Sequence, residues 1–222
     1  MQIGPLNIAG DLVLAPMAGV TDWAFRAVCA QLGAAVTVTE MVSSRALVYH
    51  DKKSLRLLRK TPVGLCGAQL FGNDPAVMAE AAALALEESR ADFIDLNMGC
   101  PMPKIVGNGD GCALMRDEAL AARIVEAVCG AVSVPVTVKM RTGWDKGSVN
   151  CVSLAQAVEA AGASAVTVHG RTKTMLYSGV ADWDAIRAVV EAVKIPVIAN
   201  GDVFDETAAL RCKARTGAAG YM

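Results

Sequence analysis

The chain has 222 residues, 54% of them hydrophobic, and 21 lysines and arginines set against 22 aspartates and glutamates for a net charge of −1. That composition supports one large buried core and excludes a disordered chain, while the lack of a basic excess speaks against holding nucleic acid by bulk charge. No apolar run reaches the ~20 residues of a membrane span, and no basic region followed by an apolar core opens the sequence, so a cytoplasmic protein without an export signal is expected.

Residues 1–11, with Gly4-Pro5 and Gly10, read as a small hairpin at the bottom of the fold. Apolar, strand-like runs follow at 12–15, 36–39, 64–69, 93–97, 136–139, 165–169, 197–200 and 218–222, each separated by room for a crossover helix. The helices have recognisable starts and stops. Residues 22–32 open after Thr21 and close at Gly33, and 75–90 have Asp74 as N-cap with proline at the first helical position. Segment 117–130 is capped by Asp117, 148–161 opens at Ser148 and ends before Gly162, 182–193 supplies another, and Asp205 precedes the last. Residues 52–60 are read as the second crossover helix.

Strict alternation of eight strands with helices implies an α/β fold with a parallel sheet, closed as a (β/α)8 TIM barrel or open and doubly wound. The strand count and the polar residues that follow strand after strand favour the barrel, and no G-x-G-x-x-G follows a strand. The sequence stops at Met222 with the eighth strand, whereas such a barrel usually takes about 250 residues. The expectation is a single-domain barrel over residues 1–222 that is incomplete after strand 8, a fragment with an exposed strand edge and apolar patch, poorly soluble and weak in ligand binding.

The stretch at 92–115 is where the chemistry concentrates. An alternating apolar and acidic strand runs into a turn rich in Gly and Pro, and Cys100 sits on it between Gly99 and Pro101. Loops at the carboxyl ends of strands hold the active sites of such proteins. The other cysteines, Cys29, Cys66, Cys112, Cys129, Cys151 and Cys212, are scattered and never form a C-x-x-C pair, the pattern of reduced thiols. With only His50 and His169 beside them, a zinc or iron–sulfur site has little to build on, and no metal is expected.

Strand ends elsewhere carry Pro16-Met17-Ala18-Gly19, Glu40, Gln69, Asn97, Lys139, Arg141, His169, Arg171 and Asn200-Gly201-Asp202. Each has a plain structural reading: a lysine snorkelling to water, a satisfied core histidine, a hydrogen-bonding amide on the rim, a small buried thiol. Together they suit a large planar ligand carrying phosphate, because burying so many polar groups without a ligand is costly. A basic rim of Arg45, Lys104, Arg171 and Lys173 would face outward, with Lys52, Lys53, Arg56, Arg59 and Lys60 either joining it or forming a solvated helix face.

Seven segments stand out in order: LAPMAGVTDWAFR at 14–26, TEM at 39–41, DLNMGCP at 95–101, VKMRTGW at 138–144, VHGRT at 168–172, YSG with ADW at 177–183 and PVIANGD at 196–202. With these the chain resembles the tRNA-dihydrouridine synthase family, in particular its bacterial B-type branch. The segments run along essentially the whole chain. The resemblance implies an FMN-dependent oxidoreductase that uses NADPH to reduce particular uridines of tRNA to dihydrouridine. It places Pro16, Met17, Ala18, Gln69, Lys139, His169, Asn200, Gly201 and Asp202 on flavin-contacting positions, Cys100 on the catalytic acid, and Asn97, Arg141 and Arg171 near the target base or its phosphate. A monomer is expected.

Reducing the uracil C5–C6 bond needs a hydride at C6 and a proton at C5. A thiol of pKa ~8.5 is still mostly protonated at neutral pH and can supply that proton. The base must also leave its stack, at a cost of a few kcal/mol. Two departures from the family pattern stand out: Gly107 occupies a place where a basic residue is expected, and the family's phosphate-holding loop and helical carboxyl-terminal domain lie beyond Met222. Three other readings remain at this level. They are an FMN barrel acting on a small pyrimidine or enone, an aldolase-type barrel with Lys139 as Schiff-base lysine, and an inactive or merely RNA-binding remnant.

Overall fold

Alternation along each strand decides which side chains meet at the centre. In the computed structural model, which describes residues 1–222, β7 (Phe93–Met98), β8 (Val136–Arg141), β9 (Ala165–His169) and β10 (Val197–Asn200) run parallel. Ile94, Leu96, Met98, Val136, Val138, Met140, Val166, Val168, Val197 and Ala199 all join the large hydrophobic cluster shared with the helices. The residues between them point the other way. Phe93, Ala165 and Ile198 belong to a separate small cluster with Ile3, Ile8, Val13, Val36 and Val38, which fills the amino-terminal end of the barrel. Above it the inward positions turn polar: Asp95, Asn97, Thr137, Lys139, Thr167, His169 and Asn200. A sheet of period two thus presents an oily face to its helices and a polar lumen to its mouth.

The ring is built in chain order. It comprises β3 (Val13–Leu14), β4 (Val36–Val38), β6 (Leu65–Phe71), then β7 to β10 and β11 (Gly220–Tyr221), with β5 (Val42–Ser43) extending β6. The eighth barrel strand does not leave an open edge. Residues 220 and 221 pair with β10, and Tyr221 donates its N–H to Asp11 O at 2.8 Å beside a parallel bridge from Leu12 to Tyr221. Tyr221 also donates its hydroxyl to the Asp11 carboxylate at 2.7 Å, and Lys213 donates to the same carboxylate at 2.9 Å, tying the last strand to the first. Phe25, Val28 and Leu32 of α1 (Trp23–Gln31) and its cap are exposed at helical spacing, and Leu12 is exposed just before β3.

The hairpin β1 (Gln2–Ile3) and β2 (Leu6–Asn7) closes the barrel floor, burying Ile3 and Ile8 in the inner cluster. Phe93 packs over its register partner in the adjacent strand β6, where only glycine fits at position 67: a Cβ there would collide with the Phe93 ring. Most helices begin where the sequence signals. Asp22, Asp74, Asp117, Asp182 and Asp205 each accept N-terminal amide hydrogen bonds as caps of α1, α4 (Pro75–Ser89), α6 (Glu118–Ala131), α8 (Trp183–Ala192) and α9 (Glu206–Thr216). The second crossover is instead two short helices, α2 (Ser44–Val48) and α3 (Lys52–Leu57), capped by Ser43 and Asp51. Helix α7 (Cys151–Ala160) starts later than Ser148, because that hydroxyl closes a turn with Asp145 at 2.8 Å. The loop after β7 folds into a short helix α5 (Pro103–Val106) and a 3-10 turn over Gly111–Arg116.

Candidate active site

The polar layer of the lumen is a connected network. Asp95, buried in the middle of β7, accepts from Gln69 Nε2 at 2.6 Å and from the Thr137 hydroxyl at 2.5 Å. Gln69 Oε1 accepts from Asn97 Nδ2 at 3.0 Å, and Asn97 Oδ1 accepts the backbone N–H groups of Gly99 at 3.1 Å and Cys100 at 2.9 Å. The turn bearing Cys100 is therefore pinned by a side chain two and three residues upstream. Burial pushes the Asp95 carboxyl up to about 6, against the hydrogen bonds that favour its ionised form.

Cys100 is half-buried at the mouth, and burial raises its thiol above the ordinary value, opposed by a backbone hydrogen bond at Met102 and by the charges of Arg141 and Lys139. It is a protonated thiol at neutral pH, as an acid must be. Cys112 lies close by but is spent: its Sγ donates to Gly99 O at 3.1 Å and burial pushes it up to about 12. Its backbone N–H bonds Cys100 O at 3.0 Å, so the 3-10 turn buttresses the Cys100 turn from below.

Lys139 reaches from β8 to Asn200 Oδ1 at 2.8 Å, and Asn200 Nδ2 donates to Met222 O at 2.9 Å. Burial and the neighbouring Arg141 lower the ammonium to about 8, so it remains a cation at neutral pH. His169 is held neutral: burial, then Lys139, Arg141 and Arg171, push it down to about 3. Gly201, at φ +110, allows this packing, since a Cβ there would lie 2.9 Å from His169 Cδ2.

Arg141 and Arg171 are placed differently from a solvent-facing rim. Arg141 is buried and donates to Gly99 O at 3.0 Å, Thr172 O at 3.0 Å and Leu176 O at 2.7 Å, stapling the Cys100 turn to the loop after β9. Arg171, also buried, donates to Ser178 O at 3.1 Å, Gly179 O at 2.8 Å and Asp202 at 2.7 Å. The second Asp202 oxygen accepts the Ala181 N–H at 2.6 Å. Burial raises the Asp202 carboxyl, but these bonds and the Arg171 charge outweigh it and leave it lowered. The two arginines shape the loop that carries Tyr177, whose ring lies 6.3 Å from that of His169.

The loop after β3 brings Pro16, Met17 and Ala18 to the same end. Met17 N–H donates to the Thr21 hydroxyl at 2.9 Å, and the buried Glu40 accepts from Gly19 N–H at 2.5 Å. Arg26 and Trp23 of the same motif are structural: Arg26 is buried and donates to Thr21 O and Arg59 O, and Trp23 donates to Lys60 O. Arg59 stacks 3.9 Å from the Trp23 ring, and Lys60 pairs at 2.7 Å with Asp92, at the amino-terminal end of β7. These two cations are thus removed from the mouth. Arg45 and Lys104 remain exposed near it, and Gly107 caps α5 on the surface.

A feature not singled out in the sequence is Trp144, beyond β8, which has Arg116 4.8 Å and Lys173 Nζ 4.6 Å from its ring. The VKMRTGW segment contains the tryptophan, but nothing in it signals the distant Arg116. The donor set also bears on a flavin mononucleotide. Lys139 keeps two of its three N–H groups free of the chain, and the backbone N–H groups of Gly201 and Asp202, both at positive φ, make no hydrogen bond within it. Such a turn receives anions, and the residues present fit a phosphate-bearing flavin.

A family profile described as dihydrouridine synthase matches residues 13–222. A probable tRNA-dihydrouridine synthase of Rickettsia conorii is 48% identical over all of this chain and 67% of its own length, and tRNA-dihydrouridine synthase B of Pseudomonas aeruginosa is 47% identical over 98% of this chain and 65% of its own. The chain thus spans about two thirds of the length of these relatives. A solved nitroalkane oxidase from Streptomyces ansochromogenes shares the fold, with a TM-score of 0.52 at 18% identity over 96% of this chain and 64% of that one. With its profile match running from β3 to the last residue, the chain belongs to the dihydrouridine synthase family.

Proposed function

We propose that this barrel catalyses the reduction of uridine in tRNA to 5,6-dihydrouridine, with FMN as cofactor, NADPH as reductant and Cys100 as the acid. The observation that carries the reading is a protonated, half-buried thiol on a pinned turn at the mouth of a barrel of this family, beside Lys139 and Asn97. FMN, when bound, supplies the hydride for C6. The chain's own residues do the rest. Cys100 Sγ holds the proton destined for C5 and gives it up as the C5–C6 bond is reduced. Lys139 offers a positive charge to the ring system, Gln69 and Asn200 offer amide hydrogen bonds, and the Gly201-Asp202 turn offers N–H groups to phosphate. The loop of Pro16, Met17 and Ala18 would line one side, and His169 stands neutral at the end of β9 beside Gly201. Asn97 keeps its oxygen on the Cys100 turn, and Arg141 and Arg171 hold the surrounding loops in place.

No helix is long and apolar enough to cross a membrane, and the reading is of a monomeric cytoplasmic enzyme whose partner is tRNA. Arg45, Lys104, Lys173 and Arg116 supply exposed or half-exposed charge at the rim for its phosphates. The test is to incubate the purified chain with FMN, NADPH and a tRNA transcript and to measure dihydrouridine by mass spectrometry. Product that depends on all three supports the reading. Reduction of a free pyrimidine or an enone with no action on tRNA would replace it.

A further inference from the structure

We propose that Asp95 is a positioning residue: its carboxylate fixes which way the Gln69 and Asn97 amides point and, through them, holds the Gly99–Cys100 turn. The bearing on catalysis rests on Cys100 being the acid, while the relay itself does not.

The argument is one of hydrogen-bond polarity. An ionised carboxylate only accepts, so Gln69 must turn its NH2 toward Asp95 Oδ2, which it reaches at 2.6 Å. Its Oε1 then necessarily faces the other way and accepts from Asn97 Nδ2 at 3.0 Å. That in turn leaves Asn97 Oδ1 facing the two backbone N–H groups of the turn, at 3.1 and 2.9 Å. Backbone N–H groups can only donate, so the relay has an obligate acceptor at one end and obligate donors at the other. Both ends dictate the same orientation for both amides. Reversing either amide would set N–H against N–H or oxygen against oxygen in a buried layer.

Each link is supplied by a different level of structure. The β6–β7 register places Gln69 beside Asp95, and the period of β7 places Asn97 one inward position above it. Thr137 completes Asp95 by donating to its other oxygen at 2.5 Å. Asp95 itself is buried and below the mouth, so it acts on the turn through the two amides. Phe93, one inward position below Asp95, belongs to the apolar floor, and Asp95 therefore marks where the lumen changes from oily to polar.

Three variants of the full chain separate this from a mere packing role. Asp95→Leu removes the acceptor while keeping the branched shape, and exchange of the Gly99 and Cys100 amides, with alkylation of the Cys100 thiol by iodoacetamide, should accelerate about tenfold. Asp95→Asn keeps an oxygen for Gln69 while its NH2 faces the Thr137 hydroxyl, which can accept. Its exchange should stay within about twofold of the parent. The decisive variant is Asp95→Leu with Gln69→Glu, which moves the obligate acceptor one link along. The carboxylate introduced by Gln69→Glu accepts from Asn97 Nδ2, and protection of the turn should return even though Asp95 is absent. A packing defect would be worsened by that second change. Unaltered exchange in Asp95→Leu, accelerated exchange in Asp95→Asn, or a double variant no better than the single one each overturns the proposal. If Asp95→Leu does not fold, Asp95→Asn decides it alone: exchange within about twofold of the parent supports the relay, and accelerated exchange overturns it. If the relay behaves as stated but a Cys100 variant forms product normally, the acid assignment fails and the relay stands.

Discussion

Replacing Arg141 with methionine keeps most of the side chain's length while removing its guanidinium, and with it the hydrogen bonds to Gly99 O at 3.0 Å, Thr172 O at 3.0 Å and Leu176 O at 2.7 Å. Bonds from a charged donor contribute roughly 1.5–3 kcal/mol each, so the gross loss is about 4.5–9 kcal/mol. Part is offset, because a guanidinium whose ionised form is already penalised by burial no longer has to be desolvated, which returns several kcal/mol. The net destabilisation is expected near ~3 kcal/mol, and for a chain of this length that lowers Tm by about 6–12 °C. The more specific expectation concerns where the structure loosens. One side chain ties the Cys100 turn to the 172–176 loop, so amide exchange should rise in both segments together, read peptide by peptide by mass spectrometry. Arg141→Lys carries a single ammonium without the fork and should preserve only one of the two connections. A methionine variant in which one segment loosens and the other does not, or in which Tm is unchanged, would refute the staple.

Cys100→Ala should leave NADPH oxidation intact while lowering dihydrouridine formation about 10²–10⁴-fold, the range of a lost general acid; equal product yield would end the assignment. Lys139 is protonated below about 8 and neutral above it, so FMN affinity measured by flavin fluorescence should fall as pH rises through that value. Lys139→Met should bind more weakly and lose that pH dependence, and the same slope in the variant would remove Lys139 from the interaction. Gly67→Ala forces a methyl into the space of the Phe93 ring and should cost about 1–3 kcal/mol by urea denaturation. Adding Phe93→Leu should recover part of that cost, whereas additive losses would contradict the contact.

How much of this was legible in the sequence can be judged residue by residue. The eight barrel strands were, because each apolar run is bounded by a turn, and many are followed by an aspartate cap such as Asp74, Asp117 or Asp205. The second crossover was not: Ser43 and Asp51 cap two short helices where periodicity alone suggests one. Collecting the strand ends gathers the side chains that line the mouth, since their place follows from strand direction. It does not reveal where the donors of Arg141 and Arg171 go. Their partners include backbone carbonyls of residues 172–179, in a loop with Leu176 at φ +53, and no side-chain pattern encodes those positions. For the cluster at 52–60 the sequence left rim and solvated helix face open, because charge in a sequence carries no address: Lys52, Lys53 and Arg56 lie exposed on α3, and Lys60 is claimed by Asp92 at the opposite end of the barrel.

The charges gathered in the mouth leave it with a positive excess. At neutral pH Lys139, Arg141 and Arg171 are cationic and His169 is neutral, against the carboxylates of Asp95 and Asp202. Asp202 is consumed by Arg171 and Ala181, and Asp95 by Gln69 and Thr137, so neither is free to neutralise Lys139 by contact. Lys139 instead shares its surroundings with Arg141, whose repulsion adds to burial in lowering its proton affinity. A negative charge placed there would relieve that repulsion among groups that the bonds of Asn200 and the two arginines already hold in position. The favourable field is thus prepaid in the folding of the barrel, which is the condition under which buried charge assists binding and chemistry rather than merely costing stability.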